Sequence, residues 1–216
     1  MLSEKCRVAV GGPMAGLRQV VERNPAVVKN IEEIHAMFAT WGNVALMDLG
    51  GASRGTQQFN VACDPSSANF VLKGIDCPIY LMPTEVTCHT PIGFSNVQEL
   101  RKFLPNNSGV NKLLAFYTIW YDAAVRPRQA KNPEELIYIH DLVSAFSLDA
   151  DLRDKIYRTV PTVIERVPFL PNESAEWGTV KMRLAKKDEP TNVLVSTGFK
   201  DGGEKIYLEA LCNVFK

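Results

Sequence analysis

Short β-favouring runs alternate with segments of helical apolar spacing along most of this chain, and that alternation constrains the fold more than any other feature. Strands are predicted at 7–10, 77–82, 160–164, 179–184 and 193–197, and helices up to about 23 and at 65–73, 111–125, 140–149 and 204–215. The segment 31–38 fits a helix or a buried strand equally well. The pattern favours an α/β fold with an open, mostly parallel sheet and helices on both faces. The closely spaced late strands predict an antiparallel addition near the C-terminus.

Composition and charge argue against several classes of function. The 216 residues include 24 basic and 24 acidic side chains, whereas a nucleic-acid partner requires a net basic face. Five cysteines at irregular spacing, without a CxxC pair, argue against a disulfide framework or a zinc site. No apolar run reaches membrane-spanning length, and the start lacks the apolar core of a secretory signal. The expected location is the cytoplasm, with the mitochondrion as the alternative.

Candidate binding residues are expected at one rim of the sheet, because open parallel sheets bind ligands at the carboxyl ends of their strands. Three segments are predicted to meet there. They are Gly11-Gly12, which end the first strand, the loop from about 50 to 60, and the residues before His140.

Four motifs occur in a characteristic order. Three of them are QFNVACDPSSA at 58–68, PIYLMPTEVT at 78–87 and HDLVSA at 140–145. They resemble signatures of the inosine-uridine nucleoside hydrolase family, namely E-F-N-x-x-x-D-P-E-A-A, an apolar strand ending L-D-V-T, and H-D-P-x-A. The turn VGGPMAG at 10–16 is similar to the family's T-G-P-L-T-N. Each motif alone is weak, but four in order are fairly specific, and they extend the resemblance over nearly the whole chain.

The resemblance implies a nucleoside-hydrolase-like, Rossmann-like fold and calcium-dependent hydrolysis of the N-glycosidic bond of ribonucleosides. It makes Asp141 and the Gly11 carbonyl calcium ligands, since calcium prefers hard oxygen ligands. Asn60 would hydrogen-bond the ribose, and Gln58 stands where the family has a ribose-contacting glutamate. His140 would protonate the leaving base. Family members are usually dimers or tetramers, so the resemblance also implies self-association.

The sequence departs from the family most clearly in its carboxylates. The opening motif D-x-D-P-G-x-D-D, which supplies most metal ligands and the catalytic base, is absent. The acidic cluster Asp149, Asp151 and Asp154 has the wrong spacing and is expected to face solvent. We therefore expect a single domain over 1–216, truncated at its N-terminus relative to the family and without the first strands. Calcium binding by the chain alone should be weak or absent.

Three functions remain open at this point. The chain could be an N-ribosyl hydrolase that other residues complete, a non-catalytic structural or interaction subunit, or a binding module without turnover. A homo-oligomer contact or a protein partner is expected to cover the N-terminal edge of the sheet. Simpler structural roles also fit the candidates, because His140-Asp141 could cap a helix while Asn60 and Gln58 brace a loop.

Overall fold

The computed structural model describes residues 4–41, 53–54, 57–87, 91–92, 111–112, 115, 137–138 and 140–214. The strands are β1 (Cys6–Val10), β2 (Ile31–Met37), β3 (Ser53–Arg54), β4 (Gln57–Gln58), β5 (Ile79–Met82), β6 (Pro91–Ile92), β7 (Ile137–Tyr138), β8 (Tyr157–Arg166), β9 (Lys181–Leu184) and β10 (Val193–Phe199). The helices are α1 (Ala15–Arg23), α2 (Phe59–Cys63), α3 (Pro65–Gly74), α4 (Thr84–Thr87), α5 (His140–Phe146), α6 (Ala150–Ile156) and α7 (Gly203–Val214). Two 3₁₀ segments span Pro25–Asn30 and Pro171–Glu176.

Six strands form the main sheet in the order β1-β2-β5-β10-β8-β9. The first four are parallel to one another, β8 runs antiparallel to β10, and β9 runs antiparallel to β8. The sheet is therefore mixed and open, and the predicted antiparallel addition near the C-terminus is confirmed. Within the described part of the chain, β1 is an edge strand.

Helices cover both faces of this sheet, as predicted. One core contains β-strand residues such as Ile79 and Leu81 together with Met14 near α1 and Val71 of α3. The other contains Met82 with side chains of α5, α6 and α7. Neighbouring residues of β5 belong to opposite cores, because side chains alternate between the two faces along a strand. The helices packed on the two faces hold the strand ends, and the loops that follow them, in fixed positions.

Local sequence signals explain where several elements begin. Asp64 caps α3, since its carboxylate accepts a hydrogen bond from the Ser67 amide at 2.9 Å, and Pro65 occupies the first helical position. The ambiguous segment 31–38 contains β2, and four consecutive residues at its end are buried because it lies between β1 and β5.

The helix predicted to start near His140 and end by Asp149 is α5, and the helix that follows it, α6, was not predicted. α5 ends at Phe146, and Asp149 then caps α6 by accepting a hydrogen bond from the Leu152 amide at 3.0 Å. Asp149, Asp151 and Asp154 are all exposed, as expected, and Asp149 also has a structural function as a helix cap. Of the predicted helix at 111–125, only 111–112 and 115 lie within the described residues, and these are helical. Most of the 50–58 loop lies outside them.

Candidate active site

The turn after β1 brings Gly11 against α5. A β-carbon built on Gly11 would lie 3.1 Å from Cγ and 3.3 Å from Oδ1 of Asp141. Two residues 130 positions apart in sequence, both candidates from the motifs, are thus in contact at the carboxyl end of β1. The lack of a side chain at Gly11 leaves room for the Asp141 carboxylate at this position.

Asn60 connects this turn to the end of β2. Its Nδ2 donates to the Met37 carbonyl at 3.0 Å and, more weakly, to the Gly11 carbonyl at 3.4 Å. Only 7% of the residue is exposed. The amide nitrogen is therefore used within the protein, and the Gly11 carbonyl, an expected metal ligand, already has a donor beside it.

Gln58 is almost fully buried and both ends of its amide are engaged. Its Oε1 accepts from the Val61 amide at 3.0 Å, which caps α2, and its Nε2 lies 3.3 Å from the Met37 sulfur. Its backbone amide donates to the Gly178 carbonyl at 2.8 Å. These contacts favour a structural function for Gln58 over contact with a substrate.

His140 begins α5 and contacts the last residue of α4. Its Nδ1 lies 2.6 Å from the hydroxyl of Thr87. Burial lowers the pKa of His140 to about 4, so the imidazole is neutral at pH 7. A neutral ring is poorly suited to the proton donation that the family resemblance implies for this residue.

Asp141 follows in the first turn of α5. The residue as a whole is exposed, while the protein around its carboxylate raises its pKa by desolvation. Its backbone carbonyl accepts a hydrogen bond from the Ser144 hydroxyl at 2.8 Å. Asp141 therefore presents an accessible carboxylate directly beside Gly11.

The end of β2 has an unusual backbone. Ala39 is buried and has a φ of 71°, in the left-handed region that residues with a side chain rarely adopt. The Glu85 carboxylate accepts hydrogen bonds from the Thr40 hydroxyl and the Trp41 amide, both at 2.6 Å. Glu85 thus braces the segment that follows β2.

Two residues that contact the candidate site residues, Met37 and Thr87, were not predicted from the sequence. Met37 anchors both Asn60 and Gln58 through its carbonyl and sulfur, but neither group has a sequence signature. Had 31–38 been assigned as a strand, its carboxyl end would have pointed to Met37. Thr87 was visible as the last residue of the second motif, without any indication that it contacts His140.

The described residues do not fit a resident calcium ion. They contain no group of three or more histidine, cysteine, aspartate or glutamate side chains that could hold a metal. Among the described residues at the candidate site, the oxygen donors are the Asp141 carboxylate, the Gly11 carbonyl and the Asn60 side-chain oxygen, whereas calcium takes six to eight oxygen ligands.

Sequence and structure comparisons identify the family and the fold of the chain. The family model for inosine-uridine preferring nucleoside hydrolase matches residues 2–203. The chain belongs to this nucleoside hydrolase family. None of the curated proteins compared with it matches.

Solved structures of nucleoside hydrolases share the fold. An inosine-uridine preferring nucleoside hydrolase from Bacillus anthracis superposes with a TM-score of 0.64 at 19% identity, over 99% of this chain and 62% of that one. An inosine-guanosine nucleoside hydrolase gives a TM-score of 0.67 at 20% identity, over 96% and 60% of the respective chains. A purine-preferring ribonucleoside hydrolase from Gardnerella vaginalis gives 0.63 at 18%, over 96% and 61%. The chain thus spans about 60% of the length of these nucleoside hydrolases.

Gly11→Ala should displace the Asp141 carboxylate while leaving the fold intact. The added methyl would approach Cγ to 3.1 Å, and an exposed side chain can rotate away at low cost. We expect the carboxyl NMR signal of Asp141 to move, with stability changing by less than about 1 kcal/mol. Gly16→Ala is the control, because no heavy atom outside its own helix lies within 4 Å of its added carbon. Equal movement of the Asp141 signal in both variants would contradict the assigned contact.

Proposed function

We propose that the chain is a ribonucleoside-binding member of the nucleoside hydrolase family that does not, by itself, carry out calcium-dependent hydrolysis. The observation that carries the proposal is the convergence of Asp141, Gly11 and Asn60 at the carboxyl ends of β1 and β2. Residues from three separate motifs meet where an open parallel sheet binds its ligands.

The side chains of Asp141, Asn60 and His140 would each contact a different part of the nucleoside. The accessible Asp141 carboxylate accepts hydrogen bonds from ribose hydroxyls, which a charged acceptor binds strongly. Asn60 uses its amide nitrogen on Met37, so its oxygen is the group left for a ligand hydroxyl. His140, neutral at pH 7, lies next to Asp141 and offers the base a hydrogen-bonding ring instead of a cation.

The same residues supply too little charge for hydrolysis. Cleavage of an N-glycosidic bond develops positive charge on the ribose and requires an activated water molecule. Asp141 is the one acidic side chain among the predicted site residues, and Gln58 carries no charge where the family has glutamate. We therefore assign no catalytic step to these residues, and metal-assisted activation of water would require further carboxylates.

A second function, as an interaction subunit, is favoured by the position of β1. Within the described residues this strand pairs only with β2, so its other edge has backbone groups available for another strand. A second copy of the chain or a protein partner could bind there. Light scattering of the purified chain tests this function, and a monomer at every concentration would count against the homo-oligomer.

Binding and turnover can be separated with the purified chain. Calorimetry should detect inosine or uridine binding without added calcium, and a ribose-release assay should show no calcium-dependent product. Asp141→Asn should weaken binding roughly tenfold, because hydrogen bonds to a charged acceptor are lost. Asp151→Asn is the matched control, since Asp151 is an exposed aspartate in the first turn of α6.

Two results would contradict the proposal in different ways. Calcium-dependent release of ribose would show that the chain is a complete hydrolase. Absence of inosine and uridine binding, or equal loss in Asp141→Asn and Asp151→Asn, would remove the assigned nucleoside site.

A further inference from the structure

Helix α5 is attached to the sheet at both of its ends. Its N-terminal end places Asp141 beside Gly11, at the end of β1. Ser147, just after its C-terminal end, is hydrogen-bonded to His35 of β2. The helix that presents the candidate site residues thus has a contact with the sheet at each end, and the contact at its C-terminal end lies away from the site.

The contact at the C-terminal end of α5 is formed entirely by buried groups. His35 and Ser147 both have 0% exposure, and Nδ1 of the histidine lies 2.8 Å from the serine hydroxyl. That hydroxyl is also 2.7 Å from the Ser144 carbonyl, in the last turn of α5. The hydroxyl is therefore within hydrogen-bonding distance of both the histidine and the helix backbone.

His35 is itself fixed by neighbouring strands and helices. Its Nε2 is hydrogen-bonded to the Glu33 carboxylate at 3.0 Å, and its ring stacks on Tyr80 with centroids 4.8 Å apart. Arg153 of α6 binds the same Glu33 oxygen at 3.1 Å and lies over the Tyr80 ring. Glu33 and Tyr80, both held in turn by Arg153, therefore fix the imidazole that contacts Ser147.

The same strands continue from His35 to the candidate site. His35 is paired with Ala9, two residues before Gly11, and it stands two residues before Met37, whose carbonyl holds Asn60. A displacement of α5 relative to His35 would therefore change the distance between Asp141 and both strand ends.

We propose that the His35–Ser147 hydrogen bond is a positioning contact that sets where α5 places Asp141 and His140 relative to Gly11 and Asn60. Its consequence for ligand affinity rests on the proposed nucleoside-binding function, whereas its consequence for the position of α5 does not. Ser147 has no nucleophilic function in this arrangement, because its hydroxyl is inaccessible and already hydrogen-bonded to Ser144.

Ser147→Ala removes the hydroxyl with little change in volume. We expect the NMR signals of the His140 ring and the Asp141 carboxyl to move, and inosine binding to weaken roughly fivefold. Ser67→Ala is the matched control, since Ser67 is also a buried serine, and its hydroxyl donates to Asp64 at 2.6 Å, three residues earlier. That variant should lose comparable thermal stability without moving either signal.

Two substitutions of His35 test its hydrogen bonds to Ser147 and to Glu33 one at a time. The side-chain amide of His35→Asn can replace Nδ1 toward Ser147 but cannot reach Glu33. The longer His35→Gln can reach Glu33 in place of Nε2. We expect His35→Asn to keep the His140 and Asp141 signals near their original positions and His35→Gln to shift them as Ser147→Ala does.

Each outcome bears on a different part of the inference. Unmoved signals in Ser147→Ala, equal movement in Ser67→Ala, or the reverse order of the two His35 variants would overturn the positioning contact. If the signals move in Ser147→Ala but the wild-type protein does not bind inosine, the positioning contact is supported and the proposed function is refuted.

Discussion

Replacing Gly203 with alanine should destabilise the protein by about 3 kcal/mol. A β-carbon at this position would be forced against the carbonyl oxygen of Ile156, well inside van der Waals contact, and would lie 3.2 Å from the carbon of the same carbonyl. Backbone atoms cannot rotate away as a side chain can. This carbonyl also accepts a hydrogen bond from the backbone amide of Lys200 at 2.8 Å. The strain would separate the start of α7 from the end of α6.

Thermal unfolding measures this effect directly. For a chain of this length, about 3 kcal/mol corresponds to a fall in melting temperature of roughly 6 to 12 °C. Gly74→Ala is the control, because Gly74 ends α3 and has no heavy atom outside its helix within 4 Å of an added carbon. Its stability should change by less than about 1 kcal/mol. Similar losses in the two variants would refute the close contact with Ile156.

Glu33→Gln should cost on the order of 3 kcal/mol, because it removes the charge from the centre of a largely buried ionic cluster. One Glu33 oxygen lies 3.1 Å from Arg153, 3.0 Å from His35 and 3.5 Å from Arg7. The side chain of Arg153 is only 9% exposed, and its other described ion pair is with the exposed Asp154. Without the Glu33 carboxylate, a buried guanidinium loses its main counter-charge.

The same cluster predicts how stability depends on pH. Burial raises the pKa of Glu33, but the hydrogen bond from His35 and the charges of Arg153 and Arg7 together bring it below its ordinary value of 4.5. A lowered carboxyl pKa adds stability that is complete above pH 4.5 and is lost as pH falls through the folded-state pKa. Wild-type protein should therefore lose stability below pH 4.5 more steeply than Glu33→Gln.

A surface ion pair provides the control for this prediction. Glu165 is 51% exposed and lies 3.0 Å from Arg183, and such pairs contribute less than about 1 kcal/mol. Glu165→Gln should therefore unfold within about 1 kcal/mol of wild type in denaturant titrations at pH 7. Equal losses from Glu33→Gln and Glu165→Gln would show that the buried cluster contributes no special stability.

The alternation of strands and helices was enough to predict the fold class, because it reports which faces must be buried. Local sequence signals were enough to predict where α3 begins, because an aspartate cap is followed by a proline at the first helical position. They located α5, but α6 was not predicted, although Asp149 caps its first turn. They could not settle 31–38, since burial on both faces of a central strand removes the period-two pattern.

The candidate site was predictable only where a residue type carries its own chemistry. The motifs pointed to Asp141, Gly11 and Asn60, and the structure brings these three together. The sequence could not show that Gln58 turns inward, because its partner is the sulfur of Met37. Nor could it show how far burial lowers the pKa of His140, since that depends on tertiary packing.

The two apolar cores lie on the faces of the sheet, whereas the candidate ligand groups lie beyond the ends of its strands. Folding energy and ligand chemistry are therefore supplied by largely different residues. A mutation that neutralises a carboxylate beyond a strand end leaves the interior layers intact, so natural selection for a stable protein does not remove it. A fold of this kind can therefore be retained after its site residues change, because changes at the strand ends cost little folding stability.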